Sequence, residues 1–186
     1  MRIAVFCGSS TGSDPVFTDQ AKALGKQIAE DGHSLVYGGG NVGLMGIIAD
    51  EVMDRGGKVV GVIPRLLKER EVAHEDISEL FIVDDMHARK AKMAALSDAF
   101  VAMPGGAGTL EEIFEVWTWA QLGYHEKPCG FLNVEGYFDP LLTFIDSMCD
   151  KQFLKPIYRA MLLVSDSPAE LLASCVEYEA PQSKWR

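Results

Sequence analysis

The chain has 186 residues, 48% of them apolar and 24% charged, which suits one soluble globular domain with a sizeable core. A formal net charge of −10 argues against gripping a nucleic-acid polymer, which needs basic surface, but leaves room for a single nucleotide in a local basic pocket. No apolar run reaches the roughly 18 residues of a membrane span. A strand starts near Met1 instead of a signal peptide, and the four cysteines lack a Cys-x-x-Cys spacing, so the expected location is the reducing cytoplasm.

In chain order, Ile3–Cys7 is a continuous apolar run that reads as a buried strand. Gly8–Ser13 follows as a Gly/Ser loop, a usual opening of a nucleotide-binding α/β domain. Cys7 ends that strand just before a glycine and is the one cysteine with a case for reactivity; Cys129, Cys149 and Cys175 read as core or surface thiols. Asp14-Pro15 predicts a helix start, a capping carboxylate and then proline at the first helical position. Phe17, Ala21, Leu24 and Ile28 recur at helical spacing until Asp31-Gly32. Ser34–Tyr37 is a second strand. A glycine-rich junction, Gly38–Gly46, comes next, then a helix carrying Ile47, Ile48, Val52 and Met53. The junction lacks a clean Gly-x-Gly-x-x-Gly, and Pro64-Arg65 rather than an acidic residue follows the third strand, Lys58–Ile63, so the dinucleotide signal is weak.

From Pro64 to Ser78 the pattern loosens, and this charged stretch is either a cover over a site or a solvated connection. Leu80–Val83 is a fourth strand. The helix after it opens with Met86-His87-Ala88-Arg89-Lys90-Ala91-Lys92, whose three cations oppose the dipole of the first turns. Either an anion compensates them or Asp84 and Asp85 do. Ala99–Met103, Pro128–Leu132 and Met161–Val164 read as the remaining strands. Helices are expected from about Asp139 and from Ser167-Pro168, with a frayed tail over 178–186. The alternation of strand and helix predicts an α/β fold, a single domain over 1–186 with a parallel sheet and helices on both faces. Ligands of such sheets sit beyond the C-terminal strand ends, where every unusual junction of this chain falls.

The richest junction is Pro104-Gly105-Gly106-Ala107-Gly108-Thr109-Leu110-Glu111-Glu112, between the fifth strand and a helix marked by Ile113, Val116, Trp117 and Ala120. The glycines let backbone N–H groups point at an anion, and a helix starting there adds unpaired N–H groups and the positive end of its dipole. A tight turn with two dipole-favoured glutamates would look the same. A carboxylate one turn into the helix, Glu112, is not needed to bind phosphate and suggests chemistry beside it. No metal cluster, Ser-His-Asp arrangement, Gly-x-Ser-x-Gly elbow or P-loop is visible. An anion cradle, an Arg-Lys pair and a carboxylate fit cleavage of an N-glycosidic bond in a nucleotide. The carboxylate would stabilise positive charge on the ribose and deprotonate water, while the phosphate orients the sugar. Other phosphosugar chemistry fits the same ingredients.

The Pro104–Glu112 stretch resembles the P-G-G-x-G-T-x-x-E signature of the LOG (Lonely Guy) family, and Met86-His87-Ala88-Arg89-Lys90 resembles its M-H-x-R-K motif. Val5–Ser10, Tyr37–Gly40, Gly43–Gly46, Gly61–Pro64 and Trp119–Gly123 look like further blocks of that family, in order along the chain. The resemblance implies a Rossmann-like homodimer that hydrolyses cytokinin riboside 5′-monophosphates, and AMP in bacterial members, to the free base and ribose 5-phosphate. By motif it implies Arg89 and Glu112 as the catalytic pair. Lys90 and the stretch Gly105, Gly106, Ala107, Gly108, Thr109, Leu110, Glu111 would hold the substrate, with Glu71 and Thr118 as further contacts and some groups from a second subunit. It implies no metal and no organic cofactor. Some relatives are labelled lysine decarboxylase, but the partners that pyridoxal chemistry needs are not evident around Lys90 and Lys92. The rival reading is a non-catalytic carrier of a phosphorylated ligand, like the molybdenum-cofactor carriers that share the fold. Such a carrier has no use for a carboxylate beside its anion.

Overall fold

Strand β1 (Arg2–Phe6) shows why the first apolar run is unbroken. Ile3 and Val5, with Cys7 just beyond, enter one hydrophobic core, while Ala4 and Phe6 enter a second on the opposite side. A strand dry on both faces has no position for a polar residue. The structure, a computed structural model, describes residues 1–68, 70 and 73–181. Six further strands join β1: β2 (Ser34–Tyr37), β3 (Lys58–Pro64), β4 (Glu79–Val83), β5 (Ala99–Ala102), β6 (Cys129–Leu132) and β7 (Leu162–Ser165). They form one sheet of seven strands in the order β4-β3-β2-β1-β5-β6-β7, every pairing parallel.

Helices α1 (Pro15–Glu30), α2 (Gly43–Asp54) and α8 (Pro168–Glu177) cover one face. Helices α4 (Met86–Leu96), α5 (Ala107–Gln121) and α6 (Asp139–Asp150) cover the other. The expected start signals work as capping chemistry predicts. Asp14 accepts a hydrogen bond from Val16 N at 3.0 Å with Pro15 behind it, and Ser167 accepts from Glu170 N at 3.4 Å. Asp85 caps α4 by accepting from Ala88 N at 2.8 Å.

Three short elements were not anticipated: α3 (Arg65–Lys68) inside the loosened stretch, a 3₁₀ turn at Val134–Gly136, and α7 (Pro156–Arg159). Helix α2 also begins at Gly43, so half of the glycine-rich junction is its first turn. Helix α8 ends at Glu177; the expected tail continues without helix or strand to Pro181, and 182–186 lie outside the described residues.

The chain order fixes where a ligand can sit. From β1 the chain winds outward through β2, β3 and β4, then returns to the other side of β1 as β5. The connections leaving β1 and β5 therefore diverge, and a crevice opens at the C-terminal ends of those two strands. Gly8 N donates to Pro104 O at 3.1 Å, closing the crevice floor.

Candidate active site

The floor is built by backbone. After β5, Gly105 packs so closely that a Cβ on it would strike Thr109 Oγ1 and lie 2.8 Å from Gly8 N. Helix α5 then starts at Ala107, with Gly106 at the cap position, where no side chain is present to accept a hydrogen bond. Among the described residues, the first N–H to find a partner at this end is that of Leu110, bonded to Gly106 O at 3.3 Å. The N–H groups of Ala107, Gly108 and Thr109 precede it and have no carbonyl of their own helix to meet. A Cβ at Gly106 or Gly108 would touch nothing within 4 Å, so the helix start faces open space. An uncapped, unobstructed helix N-terminus is receptive to an anion. Thr109 itself is buried.

Beside this floor is a cleft of about 360 Å³ whose walls include Cys7, Met45, Met86, Arg89, Glu111 and Glu112. Arg89 projects from the first turn of α4 and is 7% exposed. Its Nη2 donates to Gly38 O at 3.1 Å, and its buried Nε has no hydrogen-bond partner among the described residues. A Cβ on Gly38 would overlap that guanidinium, so the arginine could keep this position only beside a glycine. Glu112 lies one turn into α5 and lines the same cleft. Burial pushes its carboxyl up to about 7, a rise that Arg89 opposes most strongly, Lys90 less so, and that Glu111 and Glu115 add to. The expected catalytic pair is thus in one place.

Several other expected contacts are placed differently. Lys90 is buried, but its Nζ donates to Glu111 at 2.5 Å and lies 3.1 Å from Glu115, so it ties α4 to α5 instead of reaching into the cleft. Those carboxylates hold its ammonium above the usual lysine range. Lys92 sits 4.2 Å over the ring of Phe81. The three cations therefore go to a backbone carbonyl, to α5 and to an aromatic ring, and Asp85 serves as a cap. Leu110 is half-buried, packed against the core under α5, and is not part of the cleft wall. Thr118 is exposed, on the stripe of α5 that carries Glu111 and Glu115, and is absent from the cleft wall. Glu71 lies outside the described residues. Cys7 lines the cleft, but burial, aided by the charge of Glu112, pushes its thiol far above neutral pH; the thiolate that a reactive role needs is disfavoured.

Some participants were missed. Met45 and Met86 supply an apolar wall. Tyr137, beyond β6, donates its hydroxyl to Gly105 O at 2.7 Å and stacks edge-to-face on Phe17. A larger hollow of about 460 Å³ lies elsewhere, between Gln20, Asn133, Glu135, Asp139 and Asp166; its acidic wall does not suit an anion. Among the described residues no group of three or more His, Cys, Asp or Glu side chains is placed to hold a metal ion.

Fold and site together define a doubly wound α/β protein with an anion-receptive helix start at its topological switch point and an acidic side chain one turn beyond. A family model described as "Possible lysine decarboxylase" matches residues 45–175. The cytokinin riboside 5′-monophosphate phosphoribohydrolase LOG7 of Arabidopsis thaliana is 51% identical over 178 residues, 96% of this chain and 82% of its own. The cytokinin riboside 5′-monophosphate phosphoribohydrolase LOG of Oryza sativa subsp. japonica is 49% identical over 177 residues, 95% of this chain and 73% of its own. The chain belongs to the LOG family. Among solved structures, the molybdenum cofactor carrier protein of Chlamydomonas reinhardtii superposes with a TM-score of 0.70 at 22% identity, covering 95% of this chain and 96% of that one. The molybdenum cofactor binding protein of Rippkaea orientalis gives 0.69 at 21%, covering 95% and 94%. At that identity the likeness is one of fold.

Proposed function

We propose that this chain is a nucleoside 5′-monophosphate phosphoribohydrolase. It hydrolyses the N-glycosidic bond of cytokinin riboside 5′-monophosphates, and of AMP, to the free base and ribose 5-phosphate. Relatives near 50% identity over almost the whole chain are named cytokinin riboside 5′-monophosphate phosphoribohydrolases. The observation that carries the chemistry is the placement of Glu112 and Arg89 on one cleft beside the uncapped start of α5.

The 5′-phosphate occupies the N–H groups of Ala107, Gly108 and Thr109, with Arg89 at its side. This anchor fixes the ribose, and its binding energy serves to orient C1′. As the C1′–N bond breaks, positive charge grows on the sugar. Glu112, as carboxylate, stabilises that charge and takes a proton from the water that attacks C1′. The electron pair of the broken bond leaves with the base, which takes a proton from solvent, and Glu112 then returns to solvent the proton it took from the attacking water. A carboxyl near pH 7 suits a group that must gain and lose a proton at neutrality.

Lys90 does not support the decarboxylase wording of the family model. Schiff-base chemistry needs a neutral amine, and two carboxylates keep this one charged. The carrier reading rests on likeness of fold and leaves Glu112 without a task. We further read the chain as a homodimer of the cytoplasm. Exposed Leu122 and Tyr124 at the end of α5 and Met86 at the cleft support the first point, and four free cysteines the second. No helix among the described residues is long and apolar enough to cross a membrane.

A panel of nucleoside 5′-monophosphates, with and without N6 side chains and with dephosphorylated controls, tests the reading. Free base is expected from phosphorylated adenine substrates and not from the nucleosides. Tight binding of a pterin phosphate with no base released from any nucleotide would favour the carrier.

A further inference from the structure

Resting on the hydrolase reading, we propose that His74 is a positioning residue: through Asp50 and the Gly39 carbonyl it fixes the Gly38–Gly40 turn, whose Gly38 carbonyl orients Arg89. His74 belongs to the loosened stretch after β3, where exposure would be expected, yet it is only 5% exposed. Its backbone N–H donates to Gly39 O at 3.0 Å, and the preceding Ala73 forms an antiparallel bridge with Gly40. Its Nε2 lies 2.7 Å from Asp50 Oδ1, on α2. A carboxylate can only accept, so Nε2 is the donor in this contact. The far side of the same turn is held by Arg89, through Nη2 to Gly38 O at 3.1 Å.

The turn needs such ties. Three consecutive glycines carry no side chains to anchor themselves and lose the most freedom when fixed. Gly39 also sits at φ +77°, a conformation favoured by glycine. Arg89 depends on the turn in return. Among the described residues Gly38 O is the only oxygen recorded as accepting a hydrogen bond from its guanidinium; Nη1 has a 3.7 Å contact to Met86 Sδ and Nε has no partner. Where Gly38 moves, the guanidinium follows. His74 thereby acts on the reaction without touching the cleft, whose wall does not include it.

The experiment measures kcat and KM on AMP together with the NMR resonance of the Arg89 Nε–H, assigned by its loss in Arg89→Lys. His74→Ala is expected to shift that resonance and to lower kcat/KM about ten- to a hundredfold, the scale of an ångström-sized misplacement. His74→Gln, whose amide N–H can replace Nε2–H toward Asp50, is expected to restore most of both. In an Arg89→Ala background His74→Ala should cost nothing further, since the two act in series. An unmoved resonance with unchanged kcat/KM, or an equal loss without Arg89, overturns the proposal. If His74→Ala does not fold, Asp50→Ala on the exposed side of the contact carries the test with the same expected shift and the same overturning result. A chain that cleaves no nucleotide, yet whose Arg89 resonance moves, refutes the hydrolase reading and leaves the positioning intact. An active hydrolase whose resonance stays still does the reverse.

Discussion

The ammonium of Lys90 lies 2.5 Å from the carboxylate of Glu111, whereas the guanidinium of Arg89, one residue earlier, turns toward Gly38. Adjacent cations on α4 thus have different tasks, one clamping α5 and one serving the cleft. Lys90→Met should lower the melting temperature by a few degrees, because it strands the partly buried Glu115. It should leave KM for AMP within about threefold, while Arg89→Ala raises KM by about tenfold or more and also cuts kcat. Steady-state kinetics beside thermal melts separate the two; a larger KM change for Lys90 than for Arg89 would return the phosphate to Lys90.

A methyl group on Gly38 would overlap Nη2 of Arg89 and lie 3.0 Å from its Cζ. Gly38→Ala should therefore resemble an arginine mutant in its kinetics, with kcat/KM falling about a hundredfold. The sheet should stay folded, as circular dichroism would show. Full activity would mean that Arg89 tolerates another position.

The raised carboxyl of Glu112 has a consequence for stability. Unfolded, the group ionises near 4.5; folded, it holds its proton up to about 7. The folded-state value is the higher one, so the stabilising contribution is complete below pH 4.5 and is lost as pH rises through 7. Glu112→Gln cannot ionise and escapes that loss. Its melting temperature relative to the native chain should be higher at pH 8 than at pH 4, measured by calorimetry without ligand. A difference independent of pH would show that Glu112 titrates normally.

Tyr137 reaches the glycine turn from beyond β6 through one hydrogen bond, 2.7 Å to Gly105 O. Because Tyr137 is 44% exposed, Tyr137→Phe should raise KM only a few-fold, about 1 kcal/mol or less, with kcat nearly unchanged. Competition with ribose 5-phosphate would check this; a hundredfold loss of affinity would make the hydroxyl a direct ligand contact.

The fold was readable because its information is local. Ile3–Cys7 and Ala99–Met103 are apolar without interruption since both faces of their strands are covered. Asp14-Pro15 and Ser167-Pro168 announce their helices by the side chains that cap them. At the site, Gly105, Gly106, Gly108 and Glu112 were legible for the same reason, as a strand end, an uncapped helix start and a carboxylate one turn on. What escaped depends on contacts distant in sequence. Nothing in Met86–Lys92 says that Lys90 will meet a helix beginning 17 residues later while Arg89 meets a carbonyl 51 residues earlier. Leu110 stands inside a binding signature, yet the pitch of α5 lays it half-buried against the core. Four-residue helices such as α3 and α7 are too short for a periodic signal.

The account turns on the Glu112 carboxylate acting at C1′, and a single-turnover comparison of the native chain with Glu112→Gln on AMP tests it most directly. Chromatography would follow adenine and ribose 5-phosphate, with nucleotide affinity measured in parallel. Equimolar products from the native chain are expected. In the variant the rate should fall about a thousandfold with affinity kept within about tenfold. Release of adenine by Glu112→Gln at the native rate would contradict the mechanism.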